Sequence, residues 1–424
     1  MRSVLLNQKL WALTLGHLTV DLYSGAMPVV MIFLQSSLNL SLEQIGTVFG
    51  LYALCSSLSQ PLFGYASDRW GGRLFVAGGV LWMAVIQGLV GYLPDYYTLL
   101  LVAPIAGFGA AAFHPHAAAS ANIVSGDRKA AGIAIFMLGG NGGFAFGPVI
   151  AAVVLGGISF LGWGGLGLHG TAVMAIWGVV LTPILYVLTP DRARKPMSAA
   201  ATAPTTKRGF ELNSAFTKLA IVALLLVMTF RASAQSSVQS FIPLFFTREA
   251  AFTVAEASRV LFLVSIGVMM GTLTGGFLAD RIGGRLVMVV AFLCTAPLVF
   301  LLFWLRGVGA AQLALLFGFV AGAGWPPMLV MSQELFPKNA GVASGLSLGF
   351  VFAMGGVGTW ITGILAEPHR LGLFYSMLLL AAPPLVAALF TLGLPSPEAI
   401  ARASKEAQTM PMPISAPQPE AASD

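Results

Sequence analysis

Long apolar runs follow one another along almost the whole chain, and each has the length of a bilayer-crossing helix. A hydrocarbon core about 30 Å thick is spanned by ~20 apolar residues in helical form. Such runs lie near 8–34, 45–66, 74–93, 97–122, 131–155, 170–189, 216–246, 257–279, 286–305, 309–333, 340–366 and 371–394. The pattern predicts an all-α membrane protein with twelve transmembrane helices. Only 9% of residues are charged, against roughly 25% in soluble domains, so water cannot be the main solvent. The 49 glycines suit helices that pack backbone to backbone in lipid. Cys55 and Cys294 both fall in apolar runs, which excludes a disulfide framework. The first run follows Arg2 and Lys9 as a signal peptide would, but it is long, holds His17 and Asp21 and lacks a cleavage site. It is expected to remain as the first span.

The basic residues test the count independently. With both termini in the cytoplasm, only Arg248, Arg259, Arg306 and Arg370 fall on outer segments, and Arg231 falls inside a span. All other members of the 22 Lys and Arg lie on inner segments, as the positive-inside rule requires. The net charge of +6 is therefore a topology signal, with no basic patch for nucleic acid. The expected order is a six-helix bundle over 1–189, a cytoplasmic linker over 190–215, a second bundle over 216–394 and a disordered cytoplasmic tail over 395–424.

A decapeptide recurs half a chain later. Gly64-Tyr-Ala-Ser-Asp68-Arg69-Trp-Gly71-Gly72-Arg73 returns as Gly276-Phe-Leu-Ala-Asp280-Arg281-Ile-Gly283-Gly284-Arg285, with six identities at an offset of 212 residues. The same offset carries Phe113-His114-Pro115 onto Trp325-Pro326-Pro327. Both decapeptides follow the second span of their half, so the chain reads as two pseudo-symmetric six-helix bundles.

These loops resemble the signature of the major facilitator superfamily, G-x-x-x-D-R-x-G-[GR]-[RK], whose members are built from two such halves. The glycines allow close helix contact and tight reversal. Asp68 is expected against the positive N-terminus of the eleventh span and Asp280 against that of the fifth. Arg69, Arg73, Arg281 and Arg285 would hold the loops at the anionic inner leaflet and could pair with those carboxylates. The resemblance implies a cytoplasmic latch, made when the carrier faces outward and released when it faces inward.

Ionisable groups at bilayer depth are costly and mark candidate sites. They are His17, Asp21, His114, His116 and Arg231. His17 and Asp21 share one helix face, and Arg231, Gln235 and Gln239 form a polar stripe on span seven. In the superfamily, spans one, four, seven and ten line the central cavity, and each of these groups lies on one of them. Asp21 is expected to exchange protons, with His17 as shuttle, and Arg231 to hold an anion, which could be the substrate or Asp21 itself. A purely structural Asp21–Arg231 pair joining the halves remains open. So does a role for His114 and His116 in bonding carbonyls freed by Pro115. By ligand type His17, Asp21, His114 and His116 could take a metal, but no closed ligand spacing supports one, and no metal or cofactor is expected.

A narrower resemblance is to the fosmidomycin-resistance branch. It rests on His17-Leu-Thr-Val-Asp21, Gln44-Ile-Gly46, Ser56-Ser-Leu-Ser-Gln60-Pro61 and Phe113-His114-Pro115. The N-terminal half matches continuously, the C-terminal half mainly through its loop motif and Arg231. The branch pattern has a glutamate where this chain has His116. Span five carries Asn141-Gly142-Gly143-Phe-Ala-Phe-Gly147-Pro148, resembling the antiporter motif of drug exporters, a glycine-lined helix packed against span eight. Ala151 and Ala152 replace its glycine pair, and Ala103 stands where many drug antiporters carry an arginine.

No ATP-binding motif and no cluster of catalytic acids occur, and the tail is short for a sensor's output domain. The expected function is secondary transport in the inner membrane, by a monomer that exports a small molecule against protons. Proton symport or anion exchange for nutrient uptake is the alternative.

Overall fold

The computed structural model describes residues 6–126, 128–158, 161–190, 215–307, 309–335 and 340–394. Most of the expected linker, and the whole tail over 395–424, lie outside them, as does the side chain of Asp68.

The first helices are α1 (Gln8–Leu38), α2 (Leu42–Leu58), α3 (Gln60–Trp70), α4 (Gly72–Val90), α5 (Tyr96–Val124), α6 (Lys129–Gly156) and α7 (Gly170–Leu188). Then follow α8 (Ala215–Glu249), α9 (Val254–Ile282), α10 (Gly284–Trp304), α11 (Ala310–Ala323), α12 (Trp325–Leu335), α13 (Ala340–Leu365), α14 (Gly372–Leu379) and α15 (Ala382–Leu392). No strand forms among the described residues; Ile158 and Trp163 make one isolated bridge.

Local sequence sets the boundaries. The Asn7 side chain accepts from the amides of Lys9 and Leu10, and α1 stops at Asn39, whose φ of 51° is left-handed. Ser41 with Gln44, and Thr253 with Glu256, form reciprocal capping boxes at the starts of α2 and α9, satisfying amides that a helix start leaves open. Asp95 accepts from the Thr98 amide at the start of α5.

Among the described residues, eleven helical stretches are long and apolar enough to cross a membrane. The second expected span, 45–66, is not one of them. It is divided at Ser59 into α2, of 17 residues, and α3, of 11. Pro61 sits in the first turn of α3, where its missing N–H costs nothing. The tenth run bends similarly at Gly324, just before Pro326 and Pro327. Span four stays continuous through Pro104 and Pro115.

Glycine governs the tightest seams. A Cβ added at Gly143 would strike the Leu22 amide and the Leu18 carbonyl of α1, and one at Gly147 the Leu22 carbonyl and the Ala26 amide. Thus the glycine face expected against span eight packs on span one. Span eight still meets α6, through Phe146 and Phe262 with ring centroids 5.5 Å apart. Early and late helices also join where Gly46 and Gly50 of α2 abut Gly363 and Gly356 of α13. Large apolar side chains such as Leu101, Trp177, Phe277 and Leu389 remain exposed on the outside.

The repeated loops hold their own halves together. Arg73 Nε donates to the Thr189 carbonyl at the end of α7, at 3.1 Å, and its guanidinium lies 5.6 Å from the Tyr186 ring centroid. Arg285 donates likewise to the Leu392 carbonyl at the end of α15. Both arginines thus satisfy helix-terminal carbonyls, the natural partners of a cation there. Asp280, Arg69 and Arg281 are exposed. Gly64 faces Pro115 and Gly276 faces Pro326. Gly72 faces the His116 ring, and Gly284 faces Pro327. Each motif therefore packs its glycines on the proline segment of span four or ten.

Candidate functional site

The N-terminal helix group brings three of the sequence candidates together. His17 and Asp21 lie one turn apart on α1, with His17 Nε2 3.2 Å from Asp21 Oδ2. His114 on α5 reaches the other oxygen, its Nε2 3.4 Å from Asp21 Oδ1. His17 is 5% exposed and Asp21 6%.

The far side of each imidazole is fixed by a carbonyl. His17 Nδ1 lies 2.9 Å from the Phe136 carbonyl of α6, and His114 Nδ1 lies 2.8 Å from the Ala110 carbonyl. A carbonyl only accepts, so both Nδ1 atoms carry hydrogen and donate. Each ring, when neutral, therefore presents a bare Nε2 to the carboxylate. Pro115 frees the carbonyl of Ala111, so His114 does not repair the proline's broken bond.

Packing holds the trio in place. The His17 ring stacks on Phe136 at 4.2 Å between centroids, and the His17 and His114 rings meet edge-on at 5.2 Å. A Cβ on Gly140 would come within 2.5 Å of His17 Nε2 and 2.6 Å of Asp21 Oδ2. Only glycine leaves the pair its room. Nearby, the Tyr52 hydroxyl shares a 2.7 Å hydrogen bond with Ser24 of α1. The three candidate ligand atoms lie within 4.8 Å of one another, closer than the sequence spacing implied.

The remaining candidates lie elsewhere. His116 packs on Gly72 at the repeated loop. Arg231 is 8% exposed on α8, with its guanidinium 4.7 Å from the Trp325 ring centroid on α12. It forms no ion pair with Asp21, whose partners are the two histidines. Arg231 Nε and Gln235 Oε1 are buried without a hydrogen-bond partner. Gln239, further along α8, and Asn141, beside the glycine face of α6, are half-buried. Pro148 follows Gly147 inside α6.

The residues missed in the sequence are Gly140, Phe136 and Trp325. Only Trp325 left a signal: the offset of 212 places it on Phe113, which packs 6.1 Å from the His17 ring. One aromatic side chain of the proline segment thus faces a polar group of the first span in each half.

Residues 13–359 and 224–416 match the family model of the Major Facilitator Superfamily; the chain belongs to that superfamily. It is a multi-pass membrane transporter and not an enzyme. It is 30% identical over 377 residues to the fosmidomycin resistance protein of Escherichia coli (strain K12), covering 87% of this chain and 88% of that one. It is 29% identical over 376 residues to the uncharacterized transporter YfnC of Bacillus subtilis (strain 168), with the same coverages of 87% and 88%. Among solved structures, a bacterial homolog of the human lysosomal transporter Spinster, inward-facing and unoccupied, superposes with a TM-score of 0.77 at 18% identity. That match covers 94% of this chain and 97% of the other. The nucleoside transporter NupG superposes at 0.71 and 18% identity, over 91% and 98%. At these identities the two structures show the fold alone.

Proposed function

We propose that this chain is a proton-coupled exporter of a small molecule, working by alternating access with Asp21, His17 and His114 as the proton site. The observation that carries the reading is the carboxylate held between two bare Nε2 atoms. With no bridging proton, lone pairs oppose one another at 3.2 and 3.4 Å. One proton turns one contact into a charge-assisted hydrogen bond, and a second proton completes the other. The trio is therefore a place where a proton can bridge two groups in one arrangement of the helices and leave in another. Its position on α1 and α5, packed on the glycine face of α6, ties that exchange to helix movement.

Export is favoured by the name of the E. coli relative, a resistance protein, and by the glycine-lined α6. The two helix groups move as bodies about the seams of α2 with α13 and α6 with α9. Both termini face the cytoplasm of the inner membrane in this reading, and one copy suffices.

The test is purified protein in liposomes under an imposed pH gradient, screened against antibiotics including fosmidomycin and against metabolites, with uptake and exchange read together. Gradient-driven flux that collapses with a protonophore is the expected result. Flux that proceeds only downhill and ignores the gradient would overturn proton coupling.

A further inference from the structure

The C-terminal group holds a second buried site with different chemistry. Arg231 sits on α8 in a cavity of about 10 Å³ that is also lined by Gln235, Phe292, Thr295 and Phe317. Its guanidinium lies over the face of Trp325, an attraction that does not neutralise a cation. Among the described residues no carboxylate lies within ion-pair distance of it. A guanidinium so buried is ordinarily matched by an anion. Here the Nε–H points to nothing, and one turn on, Gln235 Oε1 is equally unpartnered. Thr295 spends its hydroxyl hydrogen on the Ala291 carbonyl at 2.7 Å, so it too offers only lone pairs. The cavity therefore presents a charged donor beside two acceptors.

We propose that this cavity is the subsite for the acidic end of the transported molecule, a small organic anion with a hydroxyl or N–H beside its charge. The inference rests on the transporter reading and adds the substrate's charge class. One anionic oxygen takes the place next to Arg231 Nε, since the volume is that of a single water-sized group. The neighbouring donor hydrogen goes to Gln235 Oε1. The rest of the molecule lies outside the cavity. A neutral analogue would leave the guanidinium without its counter-charge, and a simple acid without a donor would leave Gln235 unsatisfied, so both bind less well.

Acetate and glycolate separate these two parts, because glycolate adds a hydroxyl to the same carboxylate. The full chain in detergent is titrated with each sodium salt and its thermal midpoint followed. The same titrations on the variants cancel the general effect of salt. The wild type is expected to show a saturable rise with both, with glycolate acting at a several-fold lower concentration. Gln235→Leu should bind the two alike, and Arg231→Gln should respond to neither. Arg231→Lys keeps the charge without the Nε–H, and covers the case in which the glutamine variant does not fold; its midpoints should rise at least tenfold. Equal, unsaturable responses in the wild type and the arginine variants would overturn the proposal. Saturable binding in a chain that shows no gradient-driven flux would instead count against the exporter reading alone.

Discussion

Glu367 Oε1 accepts a 2.8 Å hydrogen bond from the Glu43 amide, across 324 residues of sequence. The capping box of Ser41 and Gln44 satisfies the Gln44 and Ser41 amides at the start of α2, and the open Glu43 amide takes its acceptor from the other helix group. Glu367 is 9% exposed. A carboxylate at a helix N-terminus gains roughly 0.3–1 kcal/mol when exposed and up to ~2 when partly buried. Glu367→Gln should therefore loosen this end of the molecule and shift the equilibrium roughly two- to thirtyfold toward opening there. Spin labels at Ser37 and His369, both exposed, should report longer distances. An unchanged distance distribution would remove Glu367 from the closure.

Asp21→Asn removes the charge that both histidines face. If the trio couples protons to transport, the variant should lose gradient-driven flux and keep downhill exchange. Flux along the gradient at the wild-type rate in a well-folded Asp21→Asn protein would sink the coupling role. A structural Asp21–Arg231 pair predicted rescue by combining Asp21→Asn with Arg231→Gln. Because the two residues have separate partners, the double variant should instead show both single losses, added independently.

Three neighbouring glycines separate packing from chemistry. At Gly142 an added Cβ meets only Leu18 Cδ1, at 3.8 Å, so Gly142→Ala should be nearly silent. At Gly143 it meets α1 backbone, which cannot yield, and overpacking of this kind costs about 1–3 kcal/mol. Gly143→Ala should lower the thermal midpoint. At Gly140 it meets the His17 and Asp21 side chains, which can move. Gly140→Ala should fold and yet transport poorly under a pH gradient. Equal behaviour of the Gly140 and Gly142 variants in transport would contradict the site.

Topology is open to a direct check. Single cysteines at Asp95 and Gly164 should react with an impermeant reagent added outside intact cells. Cysteines at Lys9 and Arg128 should not. Labelling at Arg128 from outside would invert the assignment.

The helices were legible because a bilayer leaves the backbone few choices, and most apolar runs each wrote one element. The break at Ser59 was less legible, since Gln60-Pro61 reads equally as a helix start or a kink. In the site, His17 and Asp21 could be paired from spacing alone, because four residues make one turn. His114 could not be separated from His116: both flank Pro115, and only the path of α5 decides which ring meets Asp21 and which meets Gly72. A pairing of Arg231 with Asp21 was open because they are the one guanidinium and the one acid at mid-depth in the apolar runs. Trp325 and the histidines, neutral or titrating, are invisible to charge counting, and they are what the two groups touch.

The bonds from Arg73 to Thr189 and from Arg285 to Leu392 close each helix group on itself, first repeated loop to last span. Neither closure uses the chain between Thr189 and Ala215. A gene cut there would yield two polypeptides, each with its own clasp, that need only find one another in the membrane. Such a split carrier, with one reporter fused to each piece, would turn the opening and closing of the seams into a signal that requires no substrate.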